Sequence, residues 1–201
     1  MRTFAGVLLV SLAATAAVVA KEPRRELGAH VHGTGSLDMA IDGNKLVMEF
    51  KAPGEDITGS EAKAVTPKAK AKLAAALATL EKPLGLFKLP DAAGCTVTTA
   101  KAAVSDDDNH DHDAKPAAKP AAGKAKAGHD HKHEKKAEHM DIKASYELAC
   151  SAPALITSVQ FDYFRAFPRA DKVTVQVITP KGQSQFDVTP AKPRIELGGL
   201  M

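Results

Sequence analysis

Eight histidines stand in this chain of 201 residues, and their spacing is not even. His110-x-His112 and His129-x-His131-x-His133 are two clusters at alternate positions, interleaved with Asp111, Asp113, Asp130 and Glu134. His30-x-His32 is a third pair, and His139 stands two residues before Asp141. Neutral imidazole together with carboxylate suits borderline divalent ions, zinc above all, with copper and nickel also able to bind. A solvated polar linker is the bland alternative, but it would rarely place five histidines at alternate positions in two groups. The chemistry expected of these residues is therefore reversible metal ligation.

The two sets of histidines sit in different surroundings. The stretch 105–138 contains no Val, Leu, Ile, Phe or Tyr. It has too little apolar surface to offset the entropy of ordering, so a disordered insertion is expected there. A loose segment must order when it wraps an ion, so His110, His112, His129, His131 and His133 should form weak and plural sites. His30 and His32 precede a strand-like run. On a strand, alternate residues point the same way, about 6.6 to 6.8 Å apart. Two imidazoles with Zn–N bonds of about 2.1 Å can converge on one ion from that spacing. Thr34, Ser36 and Asp38 continue that face. His139 and Asp141 share a face of the later strand "MDIKASYELAC", opposite Met140 and Ile142. Three histidines from two strands would leave a fourth position for water, Asp141, Glu138 or a loop histidine.

The elements that would position these ligands follow from periodicity. "GTGSLDMAIDGNKLVMEFKAPG" alternates on both sides of Asp42-Gly43-Asn44, a β-hairpin with Leu37, Met39, Ile41, Leu46, Met48 and Phe50 on one face. Thr66-Pro67 offers an N-cap and first-turn proline, and Leu73, Leu77 and Leu80 follow at helical spacing until Pro83. "CTVTTAKAAV", "KVTVQVIT", "SQFDV" and "RIEL" read as strands, with a second hairpin around Pro180-Lys181-Gly182. "LITSVQFDYFRAFP" reads as a strand or a short helix. Leu73, Leu77, Leu80, Tyr146, Phe161 and Phe164 are expected in the core, and Phe167-Pro168 as a turn that packs. The fold class predicted is α+β: a largely antiparallel sheet with one or two helices, interrupted by the histidine-rich insertion.

Residues 1–20 place one cation, Arg2, before an apolar run that ends Val18-Val19-Ala20, the pattern of a cleaved signal peptide. A single exported domain over 21–201 is expected, periplasmic, with no membrane span once 1–20 are removed. In an oxidising compartment Cys95 and Cys150, the two cysteines of the chain, are expected to pair, and a staple of that span is worth about 4 kcal/mol. The net charge of +3 is close to balance. "KPAAKPAAGKAKA" resembles a basic nucleic-acid tail, but its aspartate neighbours cancel it and it has no aromatics to stack on bases. No nucleic-acid partner is expected.

Taken together, "HVHGTGSLDMAIDGNKLVMEFKAPGEDI", the "AGC" before Thr96, Glu138-His139 with Asp141, Tyr146 and Cys150, and "FPRADKVTVQVITPKGQ" resemble the ZrgA-like periplasmic zinc-binding proteins of Gram-negative bacteria. The likeness spans nearly all of residues 21–201. It implies a role in zinc acquisition in support of a zinc ABC importer, and ligand roles for His30, His32 and His139. Members of that family often carry Gly-Phe-Glu-His after the first hairpin, where this chain has Gly59-Ser60-Glu61-Ala62. Two other functions stay open. A zinc hydrolase would need a base and a nucleophile, and neither HExxH nor GxSxG is present, so no enzyme is expected. A buffer that sequesters excess zinc, copper or nickel needs only the same imidazoles.

Overall fold

The computed structural model describes residues 33–105 and 140–201. The chain enters with β1 (Thr34–Asp42) and β2 (Lys45–Pro53), joined by a tight turn in which Gly43 takes a left-handed φ of 54°. Their alternation is realised as expected: Leu37, Met39, Ile41, Leu46, Met48 and Phe50 are all buried, while Ser36, Asp38 and Glu49 face solvent. Burying one face of period-2 strands fixes the register, because a one-residue slip would expose the whole apolar set.

The remaining elements are α1 (Gly54–Thr58), α2 (Pro67–Leu80), α3 (Pro83–Leu86), β3 (Phe87–Lys88), β4 (Cys95–Ser105), β5 (Asp141–Cys150), β6 (Ser158–Phe161), α4 (Tyr163–Ala166), β7 (Lys172–Thr179), β8 (Gly182–Val188) and β9 (Arg194–Glu196). Six strands form one sheet in the order β4-β5-β2-β1-β7-β8. All its pairings are antiparallel except β1 with β7, which is parallel. A parallel pair needs a crossover connection, and alternation within a strand carries no sign of it. A second, three-stranded sheet, β3-β6-β9, is not hydrogen-bonded to the first but packs on it through the shared core.

One face of the large sheet carries the core. Phe50 meets Tyr163 edge-on at 5.1 Å between ring centroids, Phe87 meets Phe161 at 5.5 Å, and Phe167 packs on Tyr163 at 5.2 Å. These rings tie β2, β3, β6 and α4 into one buried cluster that includes Tyr146, Leu148 and Val175. The opposite face of the sheet is polar, with Ser36, Asp38, Lys143, Ser145 and Gln176 exposed. A sheet solvated on one side is what antiparallel pairing permits.

Four expectations are corrected. Among the described residues four α-helical segments and two 3-10 segments (Asp91–Ala93 and Pro153–Leu155) occur rather than one or two helices, and only α2 is longer than five residues. Helices of four or five residues are too short to show a 3.6-residue period. Ser105 is not the first residue of the insertion but the last of β4, paired with Asp141, because the register set by Val104 and Ile142 carries on through it. "LITSVQFDYFRAFP" is both β6 and α4, separated by Asp162. Leu80 is fully buried, but Leu73 and Leu77 are only partly so, because α2 packs against β4 at the margin of the sheet.

Cys95 and Cys150 form the expected disulfide, directly opposite each other on β4 and β5 and 55 residues apart in sequence. It closes the open end of a hairpin whose connection is the insertion.

Candidate metal centre

Every candidate histidine lies outside the described residues: His30 and His32 before Gly33, and His110, His112, His129, His131, His133 and His139 between Ser105 and Met140. So does the expected signal peptide, residues 1–20. The structure does show where the histidine-bearing segments join the folded body. Ser36 pairs with Lys51, and Lys51 with Lys143, so these three residues form one row across β1, β2 and β5. Toward one end of that row the chain reaches Gly33 on β1's side, and Met140 beyond β5. Ser105, where the insertion leaves, pairs with Asp141 at the same end. With strands about 4.8 Å apart, β1 and β5 stand roughly 10 Å from each other across β2. All eight histidines are thus carried on segments attached to one end of one sheet. The disulfide sits at the other end.

Both junctions are held by α1 and the turn after it. The Gly33 N–H donates to Asp56 Oδ1 at 2.9 Å, and the Gly33 carbonyl accepts from the N–H groups of Asp171 and Lys172, both at 2.8 Å. Gly33 has a φ of 76°, in the left-handed region. On the other side, the Gly54 N–H donates to the Met140 carbonyl at 2.7 Å, and the Met140 N–H donates to the Glu61 carbonyl at 3.0 Å. A side chain at residue 54 would collide with that arrangement, since a Cβ there would lie 2.6 Å from the Met140 carbonyl oxygen. Glycine is what lets α1 start against β5. Arg169 braces the far end of α1, packing over Gly59 and pairing with Glu55 at 3.4 Å.

Asp141 is the one candidate ligand within the described residues. Its side chain is on the polar face of β5, yet it is buried, and its Oδ2 pairs with Lys51 Nζ at 2.9 Å. Lys143 and Ser145, next along that face, are exposed. The carboxylate is therefore already engaged by a cation, which holds it in place and satisfies part of its charge.

The donor set bears on which metal the protein can take. The chain's two cysteines are both oxidised, so no thiolate is available. Among the described residues no group of three or more His, Cys, Asp or Glu is arranged to hold an ion. The described residues include no histidine, so every imidazole of the chain lies on the attached segments. Imidazole with carboxylate is a donor set that fits zinc.

Asp56 and the backbone of Glu61 were not singled out by sequence reasoning. "GEDIT" has no spacing that sets one acid apart, and a carbonyl's partner is never legible from residue type. Two other buried polar groups, the hydroxyls of Tyr146 and Tyr163, make no hydrogen bond among the described residues. Burial pushes both far above the usual phenol range, with Asp56 adding to the effect on Tyr163 and Glu49 to that on Tyr146. They belong to the core rather than to any site.

The arrangement defines a β-sheet protein whose histidines all sit on segments appended to one sheet end. The family described as "ZrgA family zinc uptake protein" matches residues 29–197, and the chain belongs to that family. Its role accordingly lies in zinc uptake. No curated protein matches the chain. Ala62, at the last position of the segment compared above with Gly-Phe-Glu-His, lines a surface cavity of about 250 Å³ together with Ser60, Lys63 and Met140. Among the described residues no helix is long and apolar enough to cross a membrane.

Proposed function

We propose that the protein binds zinc in the periplasm, after loss of residues 1–20, and supports a zinc ABC importer. In this reading His30, His32 and His139 form a specific site at the end of the sheet, with Asp141 at its margin. His110, His112, His129, His131 and His133 collect zinc at lower affinity on the insertion, which starts at 106 and runs to 138. Copper and nickel compete for the same imidazoles. The protein carries metal and does not catalyse a reaction.

The supporting observation is the shared location of the two junctions. Gly33 follows His32 and is held by the Asp56 carboxylate and by backbone bonds from Asp171 and Lys172; Met140 follows His139 and is held by backbone bonds with Gly54 and Glu61. Covalent connectivity keeps His32 and His139 one residue, and His30 three residues, from a fixed point. Ligands attached to ordered backbone cost less entropy to assemble around an ion than ligands on a free loop.

The test is a competitive zinc titration of residues 21–201 and of a variant lacking residues 106–136, which keeps His139. One tight site surviving the deletion is expected, and its loss would move the essential ligands onto the insertion. Because imidazole binds metal as the neutral form, affinity should fall as pH drops through about 6.5. Unchanged affinity at pH 5 would exclude histidine ligation.

The reading as a metal-resistance buffer rests on the same imidazoles and differs in use. Induction under zinc starvation favours uptake, and induction under metal excess favours sequestration.

A further inference from the structure

We infer that the cavity between α2 and the loop after α1 docks a partner protein through an acidic segment that carries one apolar side chain. The docking surface is built from described residues and needs neither metal nor histidine.

The cavity, of about 250 Å³, combines two kinds of wall. Ala64, Ala69, Leu73 and Met140 give it an apolar surface, and Lys68 and Lys72 line it from α2. Among the described residues no Asp or Glu lines it. Both lysines are exposed, and neither forms an ion pair among the described residues. They stand four residues apart on one helix, a spacing at which like charges face each other and repel. Lys68 is also in the first turn, where the helix macrodipole disfavours a cation. Residues 67–80, which form α2, include no acidic residue to offset them. A carboxylate seated at the cavity relieves both unfavourable effects.

Size and lining together select the occupant. Sites for dissolved small molecules commonly enclose about 300 to 1,000 Å³. This cavity is smaller and has room for a single side chain. Protein interfaces are anchored in that way, by a few side chains in apolar pockets ringed by polar contacts. Val65, 76% exposed between Ala64 and Thr66, extends the apolar surface along the same loop. Cations with no opposing acid attract a partner of the opposite sign and disfavour a basic one. Met140 lines the cavity and is bonded to Gly54, so the bound segment lies against the sheet end where the insertion rejoins the body.

The probe is a fluorescein-labelled peptide, Glu-Asp-Leu-Asp-Glu, titrated by fluorescence anisotropy with residues 21–201 kept metal-free by a chelator. Saturable binding is expected at low ionic strength, weakening severalfold as salt rises toward about 0.15 M. K68E/K72E should weaken it by at least about fivefold, since each change turns an attraction into a repulsion. K101E/K192E makes the same charge change at exposed lysines outside the cavity and should stay within about twofold of wild type. A69F, which fills the cavity, and a companion peptide with Gly in place of Leu should each lower affinity by at least about threefold. Near-UV circular dichroism checks that each variant folds; should A69F not fold, the companion peptide tests the apolar wall from the ligand's side. No saturable binding to wild type at concentrations up to about 1 mM, equal losses in the two lysine pairs, or equal affinity for the two peptides would overturn the docking surface. Binding that appears only after residues 106–136 are deleted would give the cavity to this chain's own aspartates and overturn its assignment to a partner.

Discussion

Gly33 shows how much a single residue is asked to do at the junction. Its φ of 76° lies where a Cβ costs roughly 1 to 2 kcal/mol, and a Cβ built there would come within 3.0 Å of the Asp171 carboxyl carbon. Gly33→Ala should therefore destabilise the protein by at least about 1 kcal/mol in chemical denaturation. It should weaken the tight zinc site as well. A variant as stable as wild type would mean that the three hydrogen bonds around Gly33 do not constrain it. In sequence, Gly33 is one of 14 glycines and nothing marks it; the requirement comes from Asp56 and from the adjacent Asp171 and Lys172, arriving from two other places in the chain. Asp141, by contrast, was legible as a residue on the polar face of its strand. Its burial and its pairing with Lys51 were not, because a cross-strand neighbour is set by register.

Among the elements, the strands were the more readable. In β1, β2, β5 and β7 every second residue is apolar over most of the strand, and the structure buries that set, leaving the out-of-phase Ile178 exposed. Thr66 caps α2 as expected, accepting the Ala69 N–H at 3.1 Å. The small sheet was less legible because β3 has two residues and β9 three, too few to show any period. What holds it includes an ion pair: Lys88 on β3 reaches Asp162, the residue between β6 and α4, at 2.5 Å. The hydrogen bond from Lys88 lowers the Asp162 pKa against the opposing effect of burial, with the charges of Lys88 and Arg165 helping. A carboxylate with a lowered folded pKa stabilises the fold above its unfolded value, 3.8, and loses that contribution as pH falls through the folded one. Asp162→Asn should therefore lower Tm near neutral pH, and the gap to wild type should close below about pH 4. A gap independent of pH between 2 and 6 would mean that the charge of Asp162 contributes nothing.

At the scale of the whole molecule, the disulfide and the insertion are coupled. Cys95 and Cys150 close a loop of 55 residues that contains the insertion, and a bridge of that span is worth about 4 kcal/mol in the chain-entropy model. Deleting residues 106–136 shortens that loop, so the bridge should be worth about 0.7 kcal/mol less. Urea denaturation of four proteins measures this: with and without the insertion, and with and without Cys95→Ala and Cys150→Ala. Equal disulfide contributions in both backgrounds would show that the metal-free insertion does not behave as free chain in the unfolded state. The bridge locks β4 to β5 at the end away from the histidine-bearing segments and so fixes the register of the hairpin there.

The sequence by itself determined which residue types could ligate a metal and which face of the long strands is buried. Residue type decides what an atom can coordinate, and alternation decides which face of a strand is buried. It also carried the resemblance to the zinc uptake family that the match over residues 29–197 bears out. Only the tertiary structure decided that the segments bearing His30, His32 and His139 join the body at one end of one sheet, with α1 bracing both junctions. That outcome depends on the strand order β4-β5-β2-β1-β7-β8 and on backbone hydrogen bonds between residues far apart in the chain. Every residue carries the same N–H and C=O, so residue type cannot say where those bonds go.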